Sequence, residues 1–230
     1  MRKLLLGLVA LILVLTGCKG STDSPAVHQP PEDRLAEAKQ NLDAADYIGF
    51  SLTATGLPDG LAQGLLSATG TGTHAPAFTG EVKVQTNVTD ITAPLVAVDG
   101  QVFAKFPFVG WNTLNPADYG APDPAKLMAD DVGISSLFVA TTNLTEGATD
   151  RAGDQIVTGI DGQLAGSAIQ ALFPSAGAGV FTVNYTLTDD NDVVGIQITG
   201  PFYGGDVADV TYVIDLNPDA DAADIQAPSS

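Results

Sequence analysis

Few residues of this chain carry side chains suited to catalysis or metal binding. One cysteine, Cys18, and two histidines, His28 and His74, occur among 230 residues. A single cysteine forms no intramolecular disulfide, and these three residues do not make a zinc motif. The chain also lacks a Gly-x-Ser-x-Gly sequence and a phosphate-binding glycine-rich loop. No nucleophile can be matched with a base, so we predict a protein that is not an enzyme and uses no metal or cofactor.

The remaining polar candidates are weak. His74 lies in "GTGTHAPA", a predicted turn between strands, and we expect it to be a solvated loop residue. The sequence "DNDVVG" from Asp190 begins like a calcium-binding loop and has Gly195 at its sixth position. However, Val194 occupies the fifth position, and Pro201 occupies the twelfth, where an acid is required. We therefore interpret this stretch as a turn between strands.

The residues before Cys18 explain the cysteine. Arg2 and Lys3 precede an apolar run over residues 4–15, and small residues follow, which is the order of an export signal. The run is too short for a membrane-spanning helix of about 20 residues, although a short single-span anchor is the alternative. The end Leu-Thr-Gly-Cys resembles the lipobox of bacterial lipoproteins. We predict a signal peptide over residues 1–17, removed to leave Cys18 with diacylglycerol and an acyl chain such as palmitate.

The charge of the chain limits its partners. It has 27 Asp and Glu against nine Lys and Arg, a formal charge of −18, and loss of the signal makes the charge about −20. Such acidity argues against nucleic acid as a partner and against a membrane surface held through charge. Acyl chains on Cys18 hold a protein stably at a bilayer. We expect the protein on the outer, periplasmic-side face of the cell membrane.

Composition divides the rest of the chain into three parts. Residues 18–31 contain the lipidated cysteine and a Ser/Pro-rich tether whose thirteen residues span at most about 40–45 Å. Residues 32–217 are predicted to form one folded domain. Residues 218–230 are an acidic, alanine-rich tail, predicted to be flexible.

Hydrophobic periodicity predicts an α+β domain. Helical spacing occurs over residues 32–45, 122–141 and 162–174, and Asp123 followed by Pro124 is typical of a helix start. Between and after these segments the apolar residues alternate, which predicts about eight to ten antiparallel strands. The dipeptide "DG" at residues 99–100 predicts a tight hairpin between two of them.

The predicted sheet has more apolar surface than its helices can cover. About eight strands span about 40 Å, whereas a helix covers about 10 Å. Either the sheet closes around a packed core, or it stays half open and encloses an apolar space beside the helices. Periodicity leaves both possibilities open. The inward-facing residues that would form the core or line a lipid-binding cavity are Ile48, Phe50, Leu52, Val82, Val84, Leu127, Ile134, Leu137, Phe138, Val183, Tyr185, Ile196, Ile198 and Tyr212.

Several segments, in order, resemble one known family. They are the Thr-Gly-Cys end of the signal, "LAEAKQNLDAAD", "TGEVKVQT", "VAVDGQVFAKF" before the single Trp111, "DPAKLM", "GISSLF", "GATDRAGDQIVTGIDGQLAGSAIQALFP" and the three closing strands. In this number and order they resemble the mycobacterial LppX/LprG lipoprotein family, also called the LppX–LprAFG family. The resemblance covers nearly the whole chain after Cys18.

The resemblance implies a fold and a function. The fold would be a curved antiparallel sheet, a half-open β-barrel similar to the LolA and LolB carriers, with helices on its concave face enclosing a hydrophobic cavity. The protein would bind acyl chains of lipids or glycolipids there and carry them across the cell envelope, in association with an efflux transporter of the major facilitator type. The alternative is an envelope scaffold or a transporter-partner or sensing lipoprotein with a packed core. The Pro/Gly-rich loop over residues 106–124 departs from the pattern, so the identity of the lipid stays open.

Overall fold

The fold is built on one continuous antiparallel sheet. The structure, a computed structural model, describes residues 29–58, 61–130, 132–205 and 207–229, so the predicted signal peptide, Cys18 and His28 lie outside the described residues. The strands are β1 (Ile48–Thr55), β2 (Gln63–Thr73), β3 (Ala77–Thr86), β4 (Ile91–Val98), β5 (Gln101–Phe106), β6 (Gly110–Leu114), β7 (Thr142–Ala152), β8 (Gln155–Ala165), β9 (Val180–Thr188), β10 (Val193–Gly200) and β11 (Val210–Asn217).

The strand order makes two meanders joined in the middle. The order across the sheet is β6-β5-β4-β3-β2-β1-β11-β10-β9-β8-β7. All neighbouring strands in the sheet are consecutive in sequence, except for the pair of β1 and β11. Strands β6 and β7 are the two edges, and the sheet is not closed. The predicted fold class, an α+β domain on a curved, half-open antiparallel sheet, is confirmed.

The helices of the described residues are short. They are α1 (Pro31–Asp43), α2 (Pro124–Leu127), α3 (Ser136–Ala140) and α4 (Gly166–Leu172). Among the described residues, no helix combines the length and the apolar character needed to cross a bilayer. The helices predicted within residues 32–45 and 162–174 are present as α1 and α4. The helix predicted over residues 122–141 differs from the prediction.

The prediction of a continuous helix over residues 122–141 is wrong. The chain turns between α2 and α3, where the Gly133 amide donates to the Ala129 carbonyl at 2.8 Å and the Ile134 amide donates to the Leu127 carbonyl at 2.9 Å. Any side chain at residue 133 would place a Cβ 2.0 Å from the Ala129 oxygen. Two short helices joined by a turn present the same apolar spacing as one long helix, so periodicity did not separate them.

The loop predicted over residues 106–124 also contains regular structure. Strand β6 lies within it, and Pro116–Tyr119 form one turn of 3₁₀ helix. At its end, the Asp123 carboxylate accepts a hydrogen bond from the Ala125 amide at 3.0 Å, and Pro124 occupies the first turn of α2. The predicted helix start at Asp123 is thus confirmed.

His74 is not the solvated loop residue that we expected. Its Nδ1 lies 2.7 Å from the Met128 carbonyl oxygen and 2.5 Å from Asp130 Oδ1, and its Nε2 lies 2.9 Å from the Leu42 carbonyl oxygen. The side chain therefore ties the β2–β3 turn to the end of α1 and to the segment after α2. These partners are distant in sequence, so the residues around His74 do not predict the contacts.

The close packing of β2 against β3 depends on two facing glycines. Gly70 lies opposite Gly80 in the register of the two strands. A Cβ at Gly70 would lie 2.2 Å from the Thr79 oxygen, and a Cβ at Gly80 would lie 2.0 Å from the Thr69 oxygen. Glycine at both positions therefore permits an approach of the two backbones that larger residues would prevent.

Helix α1 is fixed to the sheet by a buried arginine. Arg34 donates from Nε to Asn191 Oδ1 at 2.7 Å and from Nη2 to the Thr188 carbonyl at 3.1 Å. Both acceptors belong to the β9–β10 turn, where Asn191 has a φ of 62°. The guanidinium thus holds the helix to a backbone turn that few residue types adopt.

We expect Arg34→Met to lower the free energy of unfolding by about 2 kcal/mol, because two buried acceptors would lose their donors. Equilibrium urea unfolding measures this change. The matched control is Lys83→Met, which breaks a surface ion pair with Asp90 at 3.0 Å and should lower the free energy of unfolding by less than about 1 kcal/mol. Equal losses in the two variants would contradict the role given to Arg34.

Candidate functional site

An apolar cleft lies between the first half of the sheet and the chain that follows β6. Strands β1 to β5 form its floor, and residues 116–127 form its roof. The lining residues are Phe50, Leu52, Leu65, Ala68, Phe78, Val82, Val84, Ile91, Ala93, Leu95, Ala104, Phe106, Leu114, Pro116, Tyr119, Ala121, Pro122, Pro124 and Leu127. Among them, only Tyr119 carries a polar group on its side chain. The cleft is thus suited to hydrocarbon and offers no charge to a ligand.

The floor of the cleft is a row of side chains that alternate in size. Leu52 lies opposite Ala68, Ala68 opposite Val82, and Val82 opposite Ala93 across four neighbouring strands. Directly opposed residues on one face of a sheet are close neighbours, so their sizes determine how far the floor extends into the cleft. The two alanines leave space between the larger side chains, and Val82 lies in the middle of the row.

The roof is a tight chain segment rich in proline. Asn115 caps the 3₁₀ turn by accepting a hydrogen bond from the Ala117 amide at 3.3 Å. Gly120, with a φ of 63°, then reverses the chain toward α2. Pro122 is buried, whereas Tyr119 is half-buried. The local turn chemistry thus lays apolar side chains of this segment over the sheet.

The free space in the cleft is narrow. All the space not filled by atoms, including solvent at the mouth, is about 710 Å³, but the centre of a water-sized sphere has only about 60 Å³ in which to move. The smaller volume determines which ligands fit without a change in the protein structure. It is enough for a few water molecules. An acyl chain therefore needs the roof to move away from the floor.

The structure brings only part of the predicted cavity set together here. Phe50, Leu52, Val82, Val84 and Leu127 line the cleft. The other nine predicted residues do not line it and are buried in the core cluster. Those nine are Ile48, Ile134, Leu137, Phe138, Val183, Tyr185, Ile196, Ile198 and Tyr212. The lipid-binding role stays a prediction for all fourteen.

Sequence reasoning missed most of the lining. Leu95, Ala104 and Phe106 lie on strands that were predicted, but which face they present was not assigned. Leu114 and Tyr119 lie in the segment interpreted as a loop. A usable signal was present, because a loop exposed to water has little reason to contain so many apolar residues.

The second half of the sheet is packed with aromatic rings instead. The Tyr212 ring lies 4.5 Å from that of Phe202 and 5.4 Å from that of Phe173, measured between centroids. Phe138 and Tyr185 make an edge-to-face contact at 5.2 Å. Such contacts fill space and stabilise the core. This side of the sheet forms a packed core and the cleft lies beside it.

Two tyrosines of this core are hydrogen-bonded to the backbone of Leu65, a residue of the cleft floor. The Leu65 amide donates to the Tyr203 hydroxyl at 2.9 Å, and the Tyr212 hydroxyl donates to the Leu65 carbonyl at 3.2 Å. The two hydroxyl oxygens lie 2.7 Å apart. Leu65 adjoins the bulge of β2, where the register with β3 shifts. The tyrosines thus satisfy backbone groups beyond the last pair that β1 makes with β2.

Burial alters the acidity of these tyrosines. It raises the pKa of Tyr212, and the neighbouring Tyr203 raises it further. Burial also raises the pKa of Tyr185, against the opposing effect of the hydrogen bond with Thr141 at 2.8 Å. Both hydroxyls therefore stay protonated at every physiological pH. They serve structure and not proton transfer.

Known proteins resemble this chain in sequence. A family model described as "LppX_LprAFG lipoprotein" matches residues 30–220. The chain is 27% identical over 162 residues to the lipoarabinomannan carrier protein LprG of Mycobacterium tuberculosis (strain ATCC 25618 / H37Rv), covering 70% of this chain and 68% of that protein. The protein of the same name from Mycobacterium bovis (strain ATCC BAA-935 / AF2122/97) matches equally.

Two solved structures share the fold. The crystal structure of LprF from Mycobacterium bovis matches with a TM-score of 0.70 at 15% identity, covering 87% of this chain and 97% of that chain. The crystal structure of the lipoprotein LppX from Mycobacterium tuberculosis matches with a TM-score of 0.61 at 16% identity, covering 85% of this chain and 98% of that chain.

We expect stability to fall steeply at alkaline pH. The unfolded chain ionises its tyrosines near pH 10, whereas burial keeps Tyr185 and Tyr212 protonated in the folded state. Their contribution is therefore complete below about pH 10 and is lost as the pH rises above it, by about 1.4 kcal/mol per pH unit for each tyrosine. Urea unfolding between pH 8 and pH 11 measures the slope. Tyr185→Phe should reduce that slope, and an unchanged slope would contradict the assignment.

Proposed function

The chain belongs to the LppX_LprAFG lipoprotein family, a family of lipoproteins and not of enzymes, and from this premise we propose that it carries lipid. It binds acyl chains of lipids or glycolipids in the apolar cleft and moves them across the cell envelope. The observation that carries the proposal is the cleft itself, whose lining offers hydrocarbon almost everywhere. The name of the LprG relatives, lipoarabinomannan carrier protein, supports the same class of ligand.

The energetics favour acyl chains over compact ligands. Each methylene removed from water contributes about 0.8 kcal/mol to the binding free energy. Ten buried methylenes therefore contribute about 8 kcal/mol, and the cost of displacing the roof is subtracted from this sum. The Tyr119 hydroxyl is the only polar side-chain group among the lining residues, so the lining offers little to a polar headgroup. A polar headgroup therefore stays at the mouth, in water, while the chains are buried.

The proposal includes how the protein is held in place. Residues 1–17 are the signal peptide, residues 18–31 the lipidated Cys18 and its tether, residues 32–217 the lipid-binding domain, and residues 218–230 a flexible tail. The anchor holds the domain on the outer face of the cell membrane. A major-facilitator-type efflux transporter as partner rests on the family resemblance alone.

A second candidate function is an envelope scaffold or a transporter-partner or sensing lipoprotein. The observation in its favour is the small free volume of about 60 Å³, which suits a core that binds nothing. Native mass spectrometry of the purified, detergent-solubilised protein separates the two functions. Non-covalent lipid on the wild type supports the carrier, and a homogeneous protein without it supports the scaffold.

We expect Val82→Trp to reduce non-covalently bound lipid at least tenfold, since an indole in the middle of the floor row fills the cleft. Organic extraction followed by mass spectrometry of the lipids measures the load. The matched control is Glu81→Trp, because Glu81 is exposed on the other face of the same strand. A wild-type load on the folded Val82→Trp variant would show that the lipid is bound elsewhere.

We expect Cys18→Ser to abolish covalent acylation, because no other thiol is present in the chain. Intact-protein mass spectrometry of the membrane fraction measures the loss of the diacylglycerol and acyl masses. A variant that keeps those masses would refute Cys18 as the attachment site.

A further inference from the structure

The β5–β6 turn projects apolar side chains into solvent. Phe108 is fully exposed and Val109 is 71% exposed. Phe108 has a φ of 67° and Gly110 a φ of 83°, so the turn holds a bulky residue in a conformation that such residues rarely adopt. Single exposed apolar residues are common on protein surfaces, but adjacent ones at the tip of a strained turn indicate a contact with an apolar partner.

A second apolar turn lies at the same end of the sheet. Val88, in the β3–β4 turn, is 85% exposed. Strands β3 to β6 are antiparallel neighbours, so the β3–β4 and β5–β6 turns both lie at the end where β4 begins. Two strand spacings, about 10 Å, separate them. Phe108, Val109 and Val88 together form what we call the apolar rim.

The cleft opens toward this rim. Ile91 is the first residue of β4 and Phe106 is the last residue of β5, and both line the cleft while being only half-buried. Farther from the rim along the same strands, Leu95 and Ala104 are buried. Along β4 and β5 the exposure of the lining thus rises toward the apolar rim, and we infer that the mouth of the cleft lies beside Val88 and Phe108.

The charge of this end differs from that of the chain. Residues 100–117 contain no Asp or Glu, and Lys105 is their one charged residue, although the chain as a whole has a formal charge of −18. Near the other turn, Lys83 forms an ion pair with Asp90 at 3.0 Å. A hairpin without acidic residues is repelled less by an anionic lipid surface than the acidic parts of the chain are.

We propose that the apolar rim inserts into a lipid bilayer and sets the mouth of the cleft against its acyl chains. The proposal rests on the proposed function, because it describes how the carrier loads and unloads. A bilayer suits the rim because the apolar surface continues into a cleft that suits hydrocarbon. Trp111 lies opposite Lys105 in the hairpin, and a tryptophan beside a lysine is typical of the membrane interface.

The tether permits contact with the anchoring bilayer. Arg34 fixes the first turn of α1 to the β9–β10 turn, which lies at the end of the sheet opposite to the apolar rim. The eleven residues of β2 span about 36 Å. Gln29 is hydrogen-bonded to Glu37 and to Asn191, each at 3.0 Å, and the chain from Cys18 to Gln29 spans at most about 36–40 Å. The tether is therefore long enough for the apolar rim to contact the anchoring bilayer or a facing one.

The single tryptophan makes the test direct. The acylated full-length protein is reconstituted into vesicles of phosphatidylcholine and phosphatidylglycerol, with brominated acyl chains either in the anchoring vesicles or in added acceptor vesicles. Trp111 lies about 7 Å along the strand from Val109, and interfacial insertion buries side chains by about 5–10 Å. Insertion should therefore quench Trp111 fluorescence in one of the two arrangements.

Phe108→Asp should abolish this quenching and slow the transfer of a fluorescent phospholipid between vesicles about tenfold, the effect of losing one buried apolar side chain. The control is Ile156→Asp, since Ile156 is an exposed apolar residue at the opposite end of the sheet. It should leave quenching and transfer unchanged.

The outcomes separate this proposal from the proposed function. Lipid supplied in detergent micelles should bind the wild type and Phe108→Asp equally, because the cleft itself is intact. If the wild type binds lipid from micelles but Trp111 is not quenched in either arrangement, bilayer insertion is overturned and the carrier function stands. If no lipid binds from micelles, the carrier function fails. Quenching that survives in Phe108→Asp also overturns the apolar rim as the inserting surface.

Discussion

The pairing of β1 with β11 is the constraint on which the rest of the structure depends. Seven residue pairs, from Gly49 opposite Asn217 to Thr55 opposite Thr211, join a meander from the first half of the chain to one from the second. Without these pairs, each meander would expose one more strand edge with unpaired backbone groups. Each meander would then also contain only half of the hydrophobic face of the sheet. With them, the sheet is continuous and long enough to curve around its own apolar side. The edges β6 and β7 stay apart, so the curve does not close.

The two halves use that shared face differently because their side chains differ in size. On the side of β9 to β11, Tyr185, Tyr212 and Phe181 pack against other aromatic rings. On the side of β2 to β5, Ala68, Ala93 and Ala104 occupy inward positions, and the roof over residues 116–127 covers them. One sheet thus supplies a rigid core and, beside it, a face that is covered but not filled. A site that must accept and release hydrocarbon needs both properties.

Local chemistry was predictable from the sequence, whereas the cleft was not. The Asp99–Gly100 hairpin follows from two adjacent residues that tolerate positive φ, observed at 53° and 71°. Val82 and Val183 alternate with polar neighbours in the same way, yet Val82 lines a cleft and Val183 lies in the core. Val82 lies between two alanines, Ala68 and Ala93, whereas Val183 lies between Gly162 and the much larger Ile198. That information lies in the register, which period-two patterning does not contain.

The attachments of the roof determine how it can yield to a ligand. At one end, Gly120 packs beside the Tyr203 ring, and the Tyr203 hydroxyl is fixed to Leu65 and Tyr212. At the other end, His74 contacts the Met128 carbonyl just after α2. Between these points the roof contacts the floor mainly through apolar side chains, and an acyl chain can replace such contacts without leaving a polar group unsatisfied. For a lipid carrier, opening therefore means that the segment between two fixed ends bows outward, and the packed core keeps its form while the cleft widens.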